Sequence, residues 1–185
     1  MDIDVRWIMA ALGGVAIAAA CGLRAFLPLL VLGLAARFGM IQLGPRTHWL
    51  EGDLALWTLG LAAALEIVGD KIPVVDHALD VIGTFVRPAA ATLAVYAAIG
   101  TWPTPWPQLV SLALGGVALS LHLVKAKVRL TSTATTLGHA NPLLSAAEDA
   151  AALGASVLAV LLPAVAVALL IGLAWVIFRR RRVPA

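Results

Sequence analysis

The feature that most constrains this chain is a long apolar run, residues 8–38, that carries Arg24 near its middle. A helix needs about 20 residues to cross roughly 30 Å of hydrocarbon, so this run is too long for one straight crossing. Arg24 lies within the stretch 22–28 (GLRAFLP), which we expect either near the bilayer centre or at a re-entrant tip. A charge at such a place is costly, and it indicates a functional site by default.

Composition places the chain among polytopic membrane proteins, because 62% of its residues are apolar, only 12% are charged and the mean hydropathy is +0.98. Its 185 residues predict a single integral membrane domain, 1–185, with no soluble stretch long enough to bury a core of its own. The N-terminus lacks the pattern of a cleaved signal, so the first apolar segment should be retained. One cysteine, Cys21, excludes an intrachain disulfide.

Further apolar segments predict an all-α polytopic transmembrane helical bundle of about five spans with a broken or re-entrant first segment. These segments lie near 54–70, 87–102, 108–124 and 153–178, and the second of them continues a more polar helix from about residue 73. The run Arg179–Arg182 predicts a cytoplasmic C-terminus in a prokaryotic inner membrane rather than a nucleic-acid patch. The N-terminus is then outside if 8–38 crosses once, and inside if it turns back.

Two stretches of the chain resemble each other in the spacing of their polar residues, which predicts repeat units at 54–102 and 108–178. Aligning Pro73 with Pro142 places Asp80 on Asp149, and an offset of 56 places Lys71 on Lys127. Chance similarity is easy in alanine-rich membrane sequence, so duplication and coincidence both fit this pattern.

The charged residues of the predicted helices fall into stripes, because positions four, seven and eleven apart return to one helical face. Near or inside the membrane, six cations meet six carboxylates: Arg24, Lys71, Arg87, Lys125, Lys127 and Arg129 against Glu66, Asp70, Asp76, Asp80, Glu148 and Asp149. The candidate residues for substrate binding or translocation are Arg24, Glu66, Asp70, Asp76, Asp80, Arg87, His122, Lys125, Arg129 and Asp149. Such a balance is expected if the helices turn their charges inward and pair them.

Two interpretations of this balance stay open, a wet functional interior and an ion-pair network that fixes helix packing. The leading hypothesis is a transporter or channel for a small polar or charged solute. Arg24, Arg87 and Lys125 would hold an anionic group, while the acidic residues balance them or carry a coupling proton. The alternatives are a membrane-embedded enzyme or binding protein for a lipid headgroup, and a structural membrane scaffold.

Sequence signatures of catalysis and of cofactor binding are absent, which favours a protein that is not an enzyme. There is no nucleophile elbow, no His-Glu-x-x-His, no Walker loop and no cysteine pair, and the four histidines are too dispersed for a metal site. We therefore expect no cofactor and no metal. The expected partners are membrane lipids, a small polar or anionic solute and further copies of the chain, with no nucleic acid. The hydroxyl-rich stretch 129–142 fits a polar pocket or an ordinary loop.

Three motifs of this sequence resemble those of one known family. They are residues 22–30 (GLRAFLPLL), residues 66–80 (EIVGDKIPVVDHALD) and residues 87–91 (RPAAA). The chain is similar in these motifs to small prokaryotic integral membrane proteins grouped as domain of unknown function four-one-two-six. The resemblance implies a polytopic inner-membrane fold and transfers no activity and no catalytic residue.

Overall fold

The computed structural model describes residues 5–136 and 139–180, which contain helices and no strand. The helices are α1 (Val5–Leu23), α2 (Phe26–Arg37), α3 (Asp53–Gly69), α4 (Pro73–Ile99), α5 (Trp106–Thr136), α6 (Asn141–Leu161) and α7 (Pro163–Arg180). A short 3₁₀ helix, His48–Glu51, precedes α3. The predicted all-α class is confirmed for this part of the chain.

Three helices are apolar enough and long enough to cross a membrane, namely Ala78–Ile99, Trp106–Thr136 and Asn141–Leu161. Shorter apolar helices accompany them, including Trp7–Leu23 and Phe26–Arg37. The chain is therefore a membrane protein. The number of spans stays a prediction.

Helix α1 lies at the centre of the bundle and packs against α4, α5, α6 and α7. Small residues allow α1 to occupy this central position: Ala16, Ala18 and Ala20 are completely buried against the surrounding helices. At Gly22, an added Cβ would lie 2.8 Å from the Leu121 Cβ atom. Small side chains of this kind let membrane helices approach closely without a large apolar side chain between them.

The first apolar segment is broken, as the sequence predicted, because α1 ends at Leu23 and α2 begins at Phe26. In the first turn of α1, Trp7 stacks on Trp102, with ring centroids 5.8 Å apart. In the loop that follows α2, the Gly44 N–H donates to the Ala97 carbonyl of α4 at 2.9 Å. The start of α1 and the loop after α2 thus both lie at the C-terminal end of α4. Helices α1 and α2 form a helical hairpin, residues 5–37, with Arg24 at its turn.

The predicted last segment, 153–178, is wrong as a single helix. Helix α6 begins at Asn141 and ends at Leu161, and α7 begins at Pro163. Proline lacks the N–H of a continuing helix and disfavours helical backbone in the residue before it, which fits the non-helical Leu162 (φ −142°, ψ 67°). The start of α6 at Asn141 is the one that the alignment of Pro142 with Pro73 predicts, and the polar side chains of its first turns face the interior.

Helix α5 extends beyond the apolar segment 108–124, through the hydroxyl-rich stretch to Thr136. This bears on the predicted repeat. Pro73 and Pro142 both stand at the start of a helix, as the alignment requires, but Lys71 lies in a turn whereas Lys127 lies inside α5. The repeat stays a prediction.

Candidate functional site

The turn of the hairpin is surrounded by charged side chains from α3, α4, α5 and α6. We call the following set the charge network: Arg24, Glu66, Asp70, Lys71, Asp76, Arg87, His122, Lys125, Arg129, Ser145, Glu148 and Asp149. It contains nine of the ten candidate residues, and the tenth, Asp80, lies at its edge. The network is thus the one place where almost all the sequence-predicted residues meet.

Arg24 is the residue of the network that the hairpin itself contributes. Its backbone N–H closes the last turn of α1 onto the Ala20 carbonyl at 2.9 Å, and its side chain is 0% exposed. The guanidinium donates to the Asp70 carboxylate and to the Ser145 hydroxyl, the latter at 2.9 Å. Its Nη2 atom lies 2.7 Å from Oδ1 of Asp149. One buried cation therefore ties the hairpin turn to α6 and to the residue that follows α3.

Asp70 is the hub of the network, and it lies in the turn between α3 and α4. Its Oδ2 atom accepts from Arg24, lies 2.9 Å from Nη2 of Arg129 and lies 3.5 Å from Nζ of Lys125. The Asp70 side chain is 0% exposed. This one buried carboxylate therefore compensates part of the charge of three cations at once.

Two cations of α5, Arg129 and Lys125, connect the remaining carboxylates to the network. Arg129 donates to Asp76 of α4 and to Glu148 of α6, besides Asp70. Lys125 lies 2.9 Å from Oε2 of Glu148 and donates to the Leu23 carbonyl at 3.2 Å. Carbonyls at the C-terminal end of a helix carry partial negative charge, so the Lys125 ammonium also stabilises the C-terminus of α1.

Glu66 occupies the N-terminus of α2. Its carboxylate accepts from the backbone N–H of Ala25 at 3.0 Å and of Phe26 at 3.3 Å. Free N–H groups and the helix dipole make such a terminus a site for an anion. The sequence predicted an anionic solute at Arg24, and in the structure a carboxylate of the protein itself, Glu66, is at the helix terminus beside it. Arg87, 3.6 Å from Oε1, is the cation nearest to it.

His122 is held in one tautomer by its neighbours. Arginine has no acceptor, so Nδ1 of His122 accepts the hydrogen bond from Arg87 and carries no hydrogen. The hydrogen is then on Nε2, which lies 3.0 Å from the Asp80 carbonyl and donates to it. His122 therefore serves here as a neutral partner of Arg87 in a contact between α4 and α5.

Two charges of the predicted six-to-six balance remain outside the pairing. Asp80 lines a cavity of about 240 Å³ together with Asp76 and Arg129 of the network, and within the described ranges its Oδ1 atom has no hydrogen-bond partner. Lys127 is exposed on α5. The other five cations and five carboxylates pair with one another, as Lys71 does with Asp149 at 3.2 Å.

Comparison with known protein families shows which one the chain belongs to. The model of a domain of unknown function, DUF4126, matches residues 11–182. The chain belongs to the DUF4126 family. The resemblance read from its motifs is thereby confirmed. No curated protein and no solved structure matches the chain.

The charge network of this DUF4126 protein lies toward one end of the bundle. Trp7 precedes Arg24 by 17 positions, which corresponds to about 26 Å along a helix. If the stacked Trp7 and Trp102 mark one interface, Arg24 lies close to the opposite side of a hydrocarbon layer of roughly 30 Å. Of the two positions expected for Arg24, this geometry favours the re-entrant tip over the bilayer centre.

A cavity of about 480 Å³ lies at the other end, where Trp7 is, between α1, α2 and α6. Met9 and Met40 at its border are 37% and 61% exposed, and its lining extends along the hairpin to Ile17 and Leu32. Ile17 precedes Arg24 by seven positions, which is about 10 Å along α1. Along the hairpin, a cavity thus enters from the Trp7 end, and paired charges surround the turn at the other end.

The groups that sequence reasoning left out of the site are the side chains of Lys71, Ser145 and Glu148 and the backbone N–H groups of Ala25 and Phe26. Ser145 and Glu148 lie on the polar face of α6, and that stripe was the available signal. The backbone donors carry no sequence signal beyond the break in the helix. In the part of the chain that the structure describes, no group of three or more His, Cys, Asp or Glu side chains could hold a metal ion.

Proposed function

We propose that this protein conducts a small polar or charged solute across the membrane, and that the charge network is its closed gate. The observation that carries the proposal is the asymmetry along the hairpin. A cavity reaches Ile17 from the Trp7 end, and the hairpin turn about 10 Å further on is sealed by buried ion pairs. A transporter held in one of its end states has this arrangement of one open and one closed side.

Ion pairs suit a gate because a carboxylate that faces several cations has alternative partners. Asp70 faces Arg24, Lys125 and Arg129, so a movement of the hairpin turn away from Asp70 leaves its charge compensated by α5. Packing alone does not require such a set, since buried ion pairs are often no more stable than apolar side chains of similar size.

The role of the cations differs in this proposal from direct binding of an anionic solute. Arg24 and Lys125 contact carboxylates of the protein, and Arg87 faces Glu66. We therefore assign them to the gate and assign the solute to the cavity. Its lining is largely apolar and includes Gln42 and Thr101, which supports a small solute with few polar groups.

The structural scaffold is the second candidate function, and one observation favours it. Arg24, Arg87 and Arg129 are between 0% and 2% exposed, so the arginines at the centre of the network are dry in this structure. A scaffold would keep them so in every state, whereas a gate must admit water in one of its states.

The location and assembly of the protein belong to the same proposal. We propose a prokaryotic inner membrane and a homo-oligomeric assembly, and we place the C-terminus in the cytoplasm on the basis of the arginine run 179–182. Residues 181 and 182 of that run lie outside the described part of the chain.

The proposal is tested by solute entry into proteoliposomes, followed by light scattering after an osmotic step with glycerol, urea or potassium acetate. We expect the protein to speed the entry of at least one of these probes over protein-free liposomes. Asp149→Asn should speed it further, because that carboxylate contacts Arg24 and Lys71 yet is 21% exposed, so the variant should fold.

The matched control is Asp53→Asn, which removes the same charge from the exposed Arg37 pair near the far end of the hairpin. Its rates should equal those of the unmodified protein. If neither the unmodified protein nor Asp149→Asn speeds the entry of any probe, the gate is contradicted and the scaffold is favoured.

A further inference from the structure

A third cavity, larger than the two described above, lies outside the charge network, in a groove between the end of α5 and the start of α6. It has a volume of about 700 Å³. We call it the α5–α6 groove, and its main lining residues are Val124, Lys127, Val128, Ser132, Leu143 and Leu144. No step of the proposed transport uses it.

The length of α5 indicates the depth of this groove in the membrane. Helix α5 has 31 residues, so it is about 46 Å long, against roughly 30 Å of hydrocarbon. It starts at Trp106, near the Trp7–Trp102 stack that marks one interface. Its final turns, from about Lys127 to Thr136, then extend past the opposite edge of the hydrocarbon. The groove therefore joins the acyl region at Val124 to the headgroup region at Ser132.

Two polar side chains of the groove, Lys127 and Ser132, are donors without a partner among the described residues, whereas its threonines donate to backbone carbonyls of α5. Lys127 is exposed and forms no ion pair with any residue in the described ranges. Every lysine and arginine of the charge network, by contrast, faces a carboxylate. The Ser132 hydroxyl is buried and has no hydrogen-bond partner among the described residues. An ammonium group and a free hydroxyl in one groove complement a phosphate group.

The remaining surface of the groove is apolar. Val124, Val128 and Leu143 are 57%, 50% and 76% exposed. These side chains are at the depth where acyl chains begin, so their exposure is that of a surface which contacts lipid. A ligand that fits the whole groove has an anionic head and a hydrocarbon tail.

We propose that the α5–α6 groove binds one anionic glycerophospholipid. The phosphate contacts Lys127 and Ser132, and an acyl chain lies along Val124 and Leu143. The occupant is a lipid rather than a soluble phosphate, because most of the lining is apolar and only the headgroup end supplies donors. The site is independent of the transport proposal, and either can fail without the other.

The test is native mass spectrometry of the full chain released from nanodiscs of phosphatidylcholine and phosphatidylglycerol in equal amounts. We expect retained phosphatidylglycerol on the unmodified protein. Lys127→Gln should retain roughly fivefold less of it, the factor that corresponds to one lysine near an anionic lipid surface. Arg46→Gln, which removes an exposed charge near the opposite end of the bundle, should retain as much as the unmodified protein.

A second variant, Val128→Trp, fills the groove and leaves Lys127 in place. It should also lose phosphatidylglycerol, which separates a shaped site from simple charge attraction. Equal retention of the two lipids by the unmodified protein would overturn the proposal. So would full retention by Lys127→Gln, or a groove covered by a second copy of the chain in the nanodisc.

Discussion

Single residues decide how the charge network is held together, and Asp70 has the central position. It faces Arg24, Lys125 and Arg129 from a buried turn between two helices. Its neighbours on α5 have further carboxylate partners, but Arg24 keeps only the partly exposed Asp149 if Asp70 is lost. The cost of removing a charge should therefore be larger at Asp70 than anywhere on the rim of the network.

Asp70→Asn should lower the free energy of unfolding by about 3–5 kcal/mol, because it leaves buried cations without full compensation. Asp53→Asn removes the same charge from a side chain that is 76% exposed, and it should cost less than about 1 kcal/mol. Unfolding of both variants in mixed detergent micelles, followed by circular dichroism, gives the two values. Equal losses would show that Asp70 is no hub.

The sequence identified most of these residues, because a charge in an apolar segment is a strong signal. It gave no partner for any of them, since pairing depends on which helices become neighbours. The capping of α2 by Glu66 illustrates the limit. Glu66 and Phe26 are 40 positions apart in the sequence, and the donor at Phe26 is a backbone N–H, a group that carries no signature in the sequence.

At the scale of elements, the hairpin is the unit that organises the bundle. The sequence predicted a break near residues 22–28 from the length of the apolar run, and the structure has it at Arg24 and Ala25. The break between α6 and α7 was not predicted, because the apolar character continues through Pro163 without a change. Hydropathy sets the total length of an apolar segment and does not indicate a bend within it.

The close packing of the hairpin on α5 depends on Gly22. An added Cβ would lie 2.8 Å from the Leu121 Cβ atom and 2.9 Å from the Ala118 carbonyl oxygen, so the helices must move apart. We expect Gly22→Ala to lower the free energy of unfolding by about 1–3 kcal/mol, as overpacking does.

Gly60→Ala in α3 is the matched control, because its added Cβ would meet no atom within 4 Å. It should leave stability unchanged or raise it by up to about 1 kcal/mol, through the better helix propensity of alanine. Thermal unfolding of both variants in the same detergent distinguishes them. A Gly22→Ala variant as stable as Gly60→Ala would mean that α1 and α5 are not in close contact in the membrane.

The whole molecule is asymmetric, with a cavity at the Trp7 end and paired charges at the hairpin turn. Composition alone predicted a membrane protein, and the balance of charges predicted a paired interior. The sequence did not distinguish whether that interior lies at the bilayer centre or at the tip of a re-entrant segment, because its position depends on the fold of the hairpin. This asymmetry is the basis for reading the network as a gate rather than a uniform set of packing contacts.

The lone thiol gives the most direct test of the gate. Cys21 is 0% exposed and lies three positions before Arg24. In native membranes a membrane-impermeant maleimide should label it slowly relative to the denatured protein. Asp149→Asn should speed the labelling roughly fivefold, as expected if loss of one partly exposed pair shifts the gate by about 1 kcal/mol. Asp53→Asn should label as the unmodified protein does. If Asp149→Asn protects Cys21 as fully as the unmodified protein, the network does not open, and the account of it as a gate is contradicted.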